Sequence, residues 1–531
     1  MPMSREIMGY SKDHVREAVG PEANPAFAAA FIMAVDWPDK SFCRDHFYSG
    51  HDIVGVIPDF KLWREKDPDA LAKELEERVP VAVLAGSNEE WNNSLLRRLE
   101  FNYTRARGDE VGGNSDKMDD FRLIAEATHA ELGKGLVEIV SVPQLTRRFK
   151  GAGNVRADER FIVHGAKPRP CENCRASKKN ATCVTYEKVS FAAADEAAAV
   201  GRRFYDVSVA EAWDFPWEFG ASGDDEPDAY RSSPVSDVAY SVFFFVDTDG
   251  VVRAGVPRGL NFGLRAAVVQ YCRKPALVVA FLRRILMVPA HHYVDDFQVA
   301  EPSFCLGPEV PGATKLHQRF PASGQGMLWA TYDLLGFRPL KPEKSSPWSS
   351  SAAPFIGTVS DFSELPTKGV VSISIKEETR IKARDLVRGA LDTKVLAPQT
   401  AGKLYGKLRW VFCLGKVCLG ALSEIKSRQY EGDPDCGDGA LSDSLTEALH
   451  FLLHVLGEDA LPAKLRTYST RRPVLIWSDA RWEKRQGMPF GFGRIGYVVR
   501  VPRLEGGVRH LLRAGRGSRG DPQGSPHPAV P

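Results

Sequence analysis

Apolar positions recur at helical spacing over residues 67–79, DPDALAKELEERV, with Asp67 or Asp69 placed to cap the first turn. The same pattern predicts a helix over 119–138, DDFRLIAEATHAELGKGLVE, ending near Gly133 or Gly135. Residues 1–150 thus read as a mostly helical accessory region with no catalytic motif. From 151 to 360 the pattern changes. RFIVHG and SVFFFVD predict strands, and AAVVQYCRKPALVVAFLRRILMV predicts a long buried helix. GQGMLWATYDLLGF (324–337) predicts a helix stopped at Gly336, and the Ser/Pro-rich KPEKSSPWSSSAAPFIGTV turns into a short strand. Strands and helices mixed in this way give an α+β class.

Residues 375–430 read as helical and locally basic, with Lys403, Lys407, Arg409, Lys416, Lys426 and Arg428 among apolar and aromatic neighbours. EGDPDCGDGALSDS (431–444) reads as a linker, and SLTEALHFLLHVLG (444–457) as a helix. RPVLIWSDARWE predicts a strand ending in Asp479, and FGRIGYVVRVP predicts another. The Gly/Pro/Arg-rich end, residues 511–531, is expected to be disordered.

At 531 residues the chain is too long for one hydrophobic core. Its net charge of +2 does not by itself point to nucleic acid, so local charge has to carry that question. Nine irregularly spaced cysteines argue for a reducing compartment. The N-terminal stretch has no apolar core segment, and ALVVAFLRRILMV is split by Arg283 and Arg284. An intracellular location, nucleus or cytoplasm, is therefore expected, with no membrane partner.

One apolar stretch raises a chemical question. HHYVDDFQVAEP (291–302) carries two adjacent carboxylates, Asp295 and Asp296, inside a strand-like run. Burying them is costly unless something positive pairs with them. A divalent metal would do so, because Mg²⁺ takes carboxylate oxygens and leaves coordination sites for substrate phosphates. A two-metal site needs a further carboxylate from elsewhere in the chain.

In this light the chain resembles a reverse transcriptase. YVDDF is similar to the palm hairpin motif of that family. Upstream, GLNFGLRAAVVQYCRKP (259–275) resembles the Gly-containing loop that opens a helix, and DEPDAYRSSPV (225–235) resembles the first palm motif. Downstream, LLGFRPLKPEKSSPWSSSAAPFIG resembles the helix, lysine loop and primer-grip strand, and KLYGKLRWVFCLGK resembles the thumb and connection. The likeness is nearest to retroelement polymerases of the DIRS-like and Ty3-like groups. It covers about residues 160–425, and the motifs occur in the family's order.

The resemblance implies a right-hand polymerase fold: fingers and palm at 151–360, thumb and connection at 361–430, and an RNase H-like remnant at 431–510. It implies an RNA-directed DNA polymerase acting on deoxynucleoside triphosphates and a primed RNA or DNA template. Asp225, Asp295 and Asp296 would hold two Mg²⁺ or Mn²⁺ ions that activate the primer 3′-hydroxyl and steady the leaving pyrophosphate. Asp224 and Asp228 stand beside Asp225 as alternatives, because FGASGDDEPD is more polar than the family's usual strand. Tyr230 would be the steric gate against ribose. Phe262 and Gly263 would lie against the incoming nucleotide, and Lys344 would act as general acid. Lys167, Arg169 and Arg175 would grip the triphosphate. Lys403, Lys407 and Arg409 would track the template–primer backbone. A polymerase that has lost catalysis but still binds nucleic acid is the alternative.

Two further patterns deserve a structural answer. His164, Cys171, Cys174 and Cys183 form an H-x6-C-x2-C-x8-C array, whose spacing matches no common zinc site. Asp479 sits where an RNase H-like fold has its first acidic residue. Only Glu483 and Glu505 follow it before the tail, which predicts a truncated segment without nuclease activity.

Overall fold

The computed structural model describes residues 13–19, 22–108, 115–164, 168–313, 316–411, 419–430 and 440–457. It also describes the backbone of strands at 463–466, 475–483, 492–502 and 508–517. The chain divides into two compact units, Met1–Leu465 and Arg466–Pro531. The larger is a mixed α/β structure with several separate sheets.

The sheet that matters most is four-stranded and antiparallel. Its order is Ala290–Tyr293, Asp296–Pro302, Phe219–Asp225 and Ser346–Ser349. Phe219–Asp225 is a central strand despite its polar sequence, FGASGDD, because small residues let both neighbours approach closely. A side chain at Gly220 would put its Cβ 2.5 Å from the Ser349 carbonyl oxygen. Side chains alternate across this sheet. Phe297 and Val299 face a core with Leu277, Val278, Leu328 and Tyr332 of helices Arg265–Arg284 and Gly324–Leu335. Ala221 and Ala300, directly paired across the ladder, face the other way, onto Ala197 and Ala198 of helix Glu196–Ala210.

A five-stranded sheet lies earlier in the chain, in the order Val137–Ser141, Val252–Pro257, Phe243–Val246, Asp158–Val163 and Arg169–Glu172. Leu95, Leu99, Leu145 and Phe149 from the first 150 residues share one core with Val238, Phe244, Val256, Leu264 and Tyr271. After the sheets come helices Glu377–Thr393, Pro398–Val411, Leu419–Tyr430 and Asp443–Val455, packed around Val387, Leu404, Ile425 and Leu449.

Several local expectations are met in detail. Asp67 caps helix Pro68–Glu76 by accepting from the N–H groups of Asp69 and Ala70. The helix expected over 119–138 starts earlier, running Ser115–Gly133 with its end at the expected glycine, and Val137 and Glu138 belong to the strand Val137–Ser141. Gly336, at φ 63°, ends helix Gly324–Leu335 in the left-handed conformation that glycine adopts without strain.

The smaller unit holds three antiparallel strands, Leu475–Glu483, Phe492–Pro502 and Val508–Gly517, in that order. It corrects two expectations. Asp479 does not end its strand but sits in the middle, opposite Gly496, because pairing with the strand Phe492–Pro502 continues as far as Glu483 opposite Phe492. The last strand also carries into the segment expected to be a tail, pairing Gly517 with Gly493. Residues 518–531 and Glu505 lie outside the described residues. Among the described residues no helix is long and apolar enough to cross a membrane.

Candidate functional site

The two adjacent aspartates occupy a tight hairpin. Tyr293 pairs with Asp296, leaving Val294 and Asp295 as the turn. Val294 has φ 54°, a left-handed conformation that is costly for a β-branched residue. The turn is pinned from the next strand, where the Glu226 N–H donates to the Asp295 carbonyl at 3.0 Å. Asp225, the last residue of that strand, is the direct cross-strand partner of Asp296. Aspartates 71 positions apart in sequence thus meet at one end of one sheet.

The electrostatics follow from this crowding. Burial raises the Asp295 carboxyl, and the neighbouring Asp225 and Glu226 raise it further. Burial, then Asp295 and Asp225, push Asp296 up to about 6. Asp225 has both oxygens engaged: Lys341 Nζ donates to Oδ2 at 2.5 Å and Lys344 Nζ to Oδ1 at 2.7 Å. The Lys341 backbone N–H also donates to the Asp225 carbonyl at 3.0 Å. Hydrogen bonding to Asp225 raises the Lys344 ammonium.

The donor set is the hard-oxygen kind that Mg²⁺ or Mn²⁺ takes, with Asp295 and Asp296 raised by burial and by their neighbouring carboxylates. The arrangement is not a ready-made cage. Among the described residues no group of three or more His, Cys, Asp or Glu side chains closes around a point that could hold a metal ion. Asp225 is turned onto the two lysines instead.

The acidic run DDEPD is resolved by alternation. Asp224 points to the opposite face from Asp225, where it accepts from Ser345 Oγ (2.6 Å), Trp329 Nε1 (2.9 Å) and Gln325 Nε2 (3.0 Å). Asp228 pairs with Lys134 at 2.9 Å. Of the three, Asp225 alone stands opposite Asp296. Glu226, fully buried, accepts from Tyr271 Oη (2.7 Å), Tyr332 Oη (2.9 Å) and the Lys274 ammonium.

The Tyr230 ring lies edge-on to Phe262, centroids 5.0 Å apart, and to Tyr271 at 5.4 Å. Burial pushes its phenol up, with Cys272 and then Asp295 adding to the effect. Gly263 has φ 91°, and a Cβ there would meet the Glu172 carbonyl oxygen at 2.3 Å. That glycine is required by close approach: the loop lies against strand Arg169–Glu172, with Asn180 Nδ2 donating to the Gly263 carbonyl at 2.9 Å.

Arg169 and Arg175 are both exposed on that segment, while Lys167 lies outside the described residues. Lys403 and Arg409 are exposed on helix Pro398–Val411 and Lys407 is half-buried. Arg428 turns inward instead, donating to the Leu396 carbonyl at 2.8 Å. The His/Cys array is not brought together. His164 pairs with Asp120 at 2.7 Å, the Cys174 thiol donates to Asp158 at 3.3 Å, and Cys183 packs among Ile57, Phe60 and Ala266.

Two participants were missed in the sequence. Lys341 had a signal, standing three residues before Lys344 in the same loop. Glu226 had none, since its partners Tyr271, Lys274 and Tyr332 come from two distant helices. No family model matches the chain, and no curated protein matches it.

Proposed function

We propose that the chain is an RNA-directed DNA polymerase of a retroelement, with a right-hand arrangement of fingers, palm and thumb. The observation that carries this reading is the register of Asp225 against Asp296, beside a strained turn presenting Asp295. Asp225, Asp295 and Asp296 lie at the same end of one antiparallel sheet, and the sequence motifs that resemble the family's occur around them in order.

Bound Mg²⁺ or Mn²⁺ would supply Lewis-acid activation and charge neutralisation at these carboxylates. The chain's own residues would do the rest. Tyr230, braced by Phe262 and Tyr271, would crowd the sugar of an incoming deoxynucleotide. Lys344, an ammonium beside Asp225, would hold a proton for the departing pyrophosphate. Arg169 and Arg175 are available to the triphosphate. Lys403, Lys407 and Arg409 are available to the backbone of a primed template.

A second reading, a nucleic-acid-binding relative without catalysis, is favoured by one specific feature: the two lysines that take both oxygens of Asp225. Primer extension on an RNA template with Mg²⁺ or Mn²⁺ separates the two. Extension supports the polymerase; tight, salt-sensitive binding without extension supports the second reading.

A further inference from the structure

The segment between helix Glu196–Ala210 and strand Phe219–Asp225 reads EAWDFPWEF from Glu211 to Phe219. Trp213, Phe215 and Trp217 take alternate positions in it, and their rings gather rather than disperse. Trp213 stacks on Phe215 with centroids 5.3 Å apart and meets Trp217 edge-on at 5.5 Å. Phe304 joins them from the turn Ser303–Cys305, 5.5 Å from Trp213 and 5.8 Å from Phe215. Phe215 is 45% exposed and Phe304 49%. Single exposed apolar side chains are ordinary on a protein surface; a contiguous aromatic cluster is not.

The cluster is held in shape by backbone contacts. The Trp213 N–H donates to the Ser208 carbonyl at 3.0 Å, and the Ser303 N–H to the Glu218 carbonyl at 2.8 Å. Ser303 Oγ accepts from the Glu218 N–H at 3.1 Å, so the Phe304 turn is tied to the Trp217 segment. Rings fixed in advance lose little side-chain freedom when a partner arrives.

Charge narrows the partner. Glu211, Asp214 and Glu218, interspersed with the rings along this segment, are all exposed, and no Lys or Arg occurs in sequence between Arg203 and Arg231. A nucleic acid would stack on the rings, but its phosphates would be repelled. Flat rings flanked by carboxylates suit a polyproline II segment carrying Arg or Lys: prolines pack on the aromatic faces, and the cations meet carboxylates and ring faces. We propose that this surface docks a basic, proline-rich segment of a partner protein. The surface stands at the start of the strand whose last residue is Asp225. The strand's length, about 20 Å, would let a partner sit there without covering the carboxylates.

The test uses the full chain and a fluorescently labelled synthetic peptide, an arginine pair followed by proline-rich repeats, read by anisotropy. Wild type should bind it, and binding should weaken as salt is raised. Phe304→Ala and Phe215→Ala should each weaken binding about tenfold or more, with the thermal midpoint unchanged. Should Phe304→Ala impair folding, Asp214→Lys, at an exposed position, gives the same readout through charge. Absence of binding by wild type, or equal binding by these variants, would overturn the proposal. So would a single-stranded oligonucleotide that competes for the rings, or self-association of the chain lost in Phe304→Ala.

Discussion

Asp225 and Asp296 face each other directly across an antiparallel ladder, while Asp224, one residue earlier, points to the opposite side. One register decides which acid of DDEPD belongs to the site. Asp225→Asn should therefore lower primer extension by orders of magnitude and cost less stability than Asp224→Ala, because Lys341 and Lys344 remain partly exposed to water. Asp224→Ala should do the reverse. It strands the Trp329 and Gln325 donors, which costs about 1–3 kcal/mol of stability. Paired melting curves and extension rates check this, and equal activity losses would place the site elsewhere.

Val294 holds a left-handed φ of 54° beside Asp295. Glycine would relieve the strain but loosen the turn. Val294→Gly should leave stability within about 1 kcal/mol of wild type, since the two effects oppose each other. The extension rate should fall, because the Asp295 carboxylate is then less firmly aimed. An unchanged rate would mean that the strained turn does no positioning.

Tyr230 is braced by Phe262 and Tyr271 in edge-on contacts. Tyr230→Ala should admit ribonucleotides, and the preference for deoxynucleotides should fall more than the rate with deoxynucleotides does. Competition between the two nucleotide types on one primed template measures the ratio. An unaltered ratio would assign the gate to another residue.

Much of this was legible in the sequence because it is local. The cap at Asp67 and the stop at Gly336 each depend on a few neighbouring residues, whereas the run expected to be one strand through Asp295 and Asp296 turns at Val294 and Asp295. The small-residue strand FGASGDD reads as polar, and its burial becomes visible only when Ser349 and Trp348 are seen against Gly220. Alternation alone would have separated Asp224 from Asp225, had the strand been recognised as central. Glu226 and Lys274 could not be paired from sequence, being 48 positions apart on different elements. Asp479 was misplaced because a strand's end is set by its partner, here the strand Phe492–Pro502, rather than by its own residues.

The pH response of stability should come partly from His46 and His51. They are buried against each other at 3.2 Å, Nδ1 to Nε2, beside Arg273 and Lys274. Burial and then Arg273 depress His51 to about 3, and burial and then His51 hold His46 well below its ordinary value. At these two sites the unfolded chain therefore binds more protons than the folded one below about pH 6.5, and their contribution to stability falls as pH drops. Each pH unit below that point costs about 1.4 kcal/mol per histidine. Raised carboxyls such as Asp296 (about 6) and Glu301 (about 7) act with the opposite sign, so the histidine contribution is read as a difference: the thermal midpoint of wild type should fall relative to that of His51→Gln as pH drops below about 6.5. An identical slope in that variant would assign the pH response to other groups.

The central claim rests on the carboxylates of Asp225, Asp295 and Asp296 acting together, and one assay addresses it most directly. Purified full-length chain is given a DNA primer annealed to RNA, deoxynucleoside triphosphates, and Mg²⁺ or Mn²⁺, beside Asp295→Asn prepared identically. The predicted result is metal-dependent extension by wild type and a loss of orders of magnitude in the variant, with binding to the hybrid retained. Tight hybrid binding by wild type with no extension under either metal would contradict it, and would make the lysine-occupied Asp225 the mark of a polymerase that no longer catalyses.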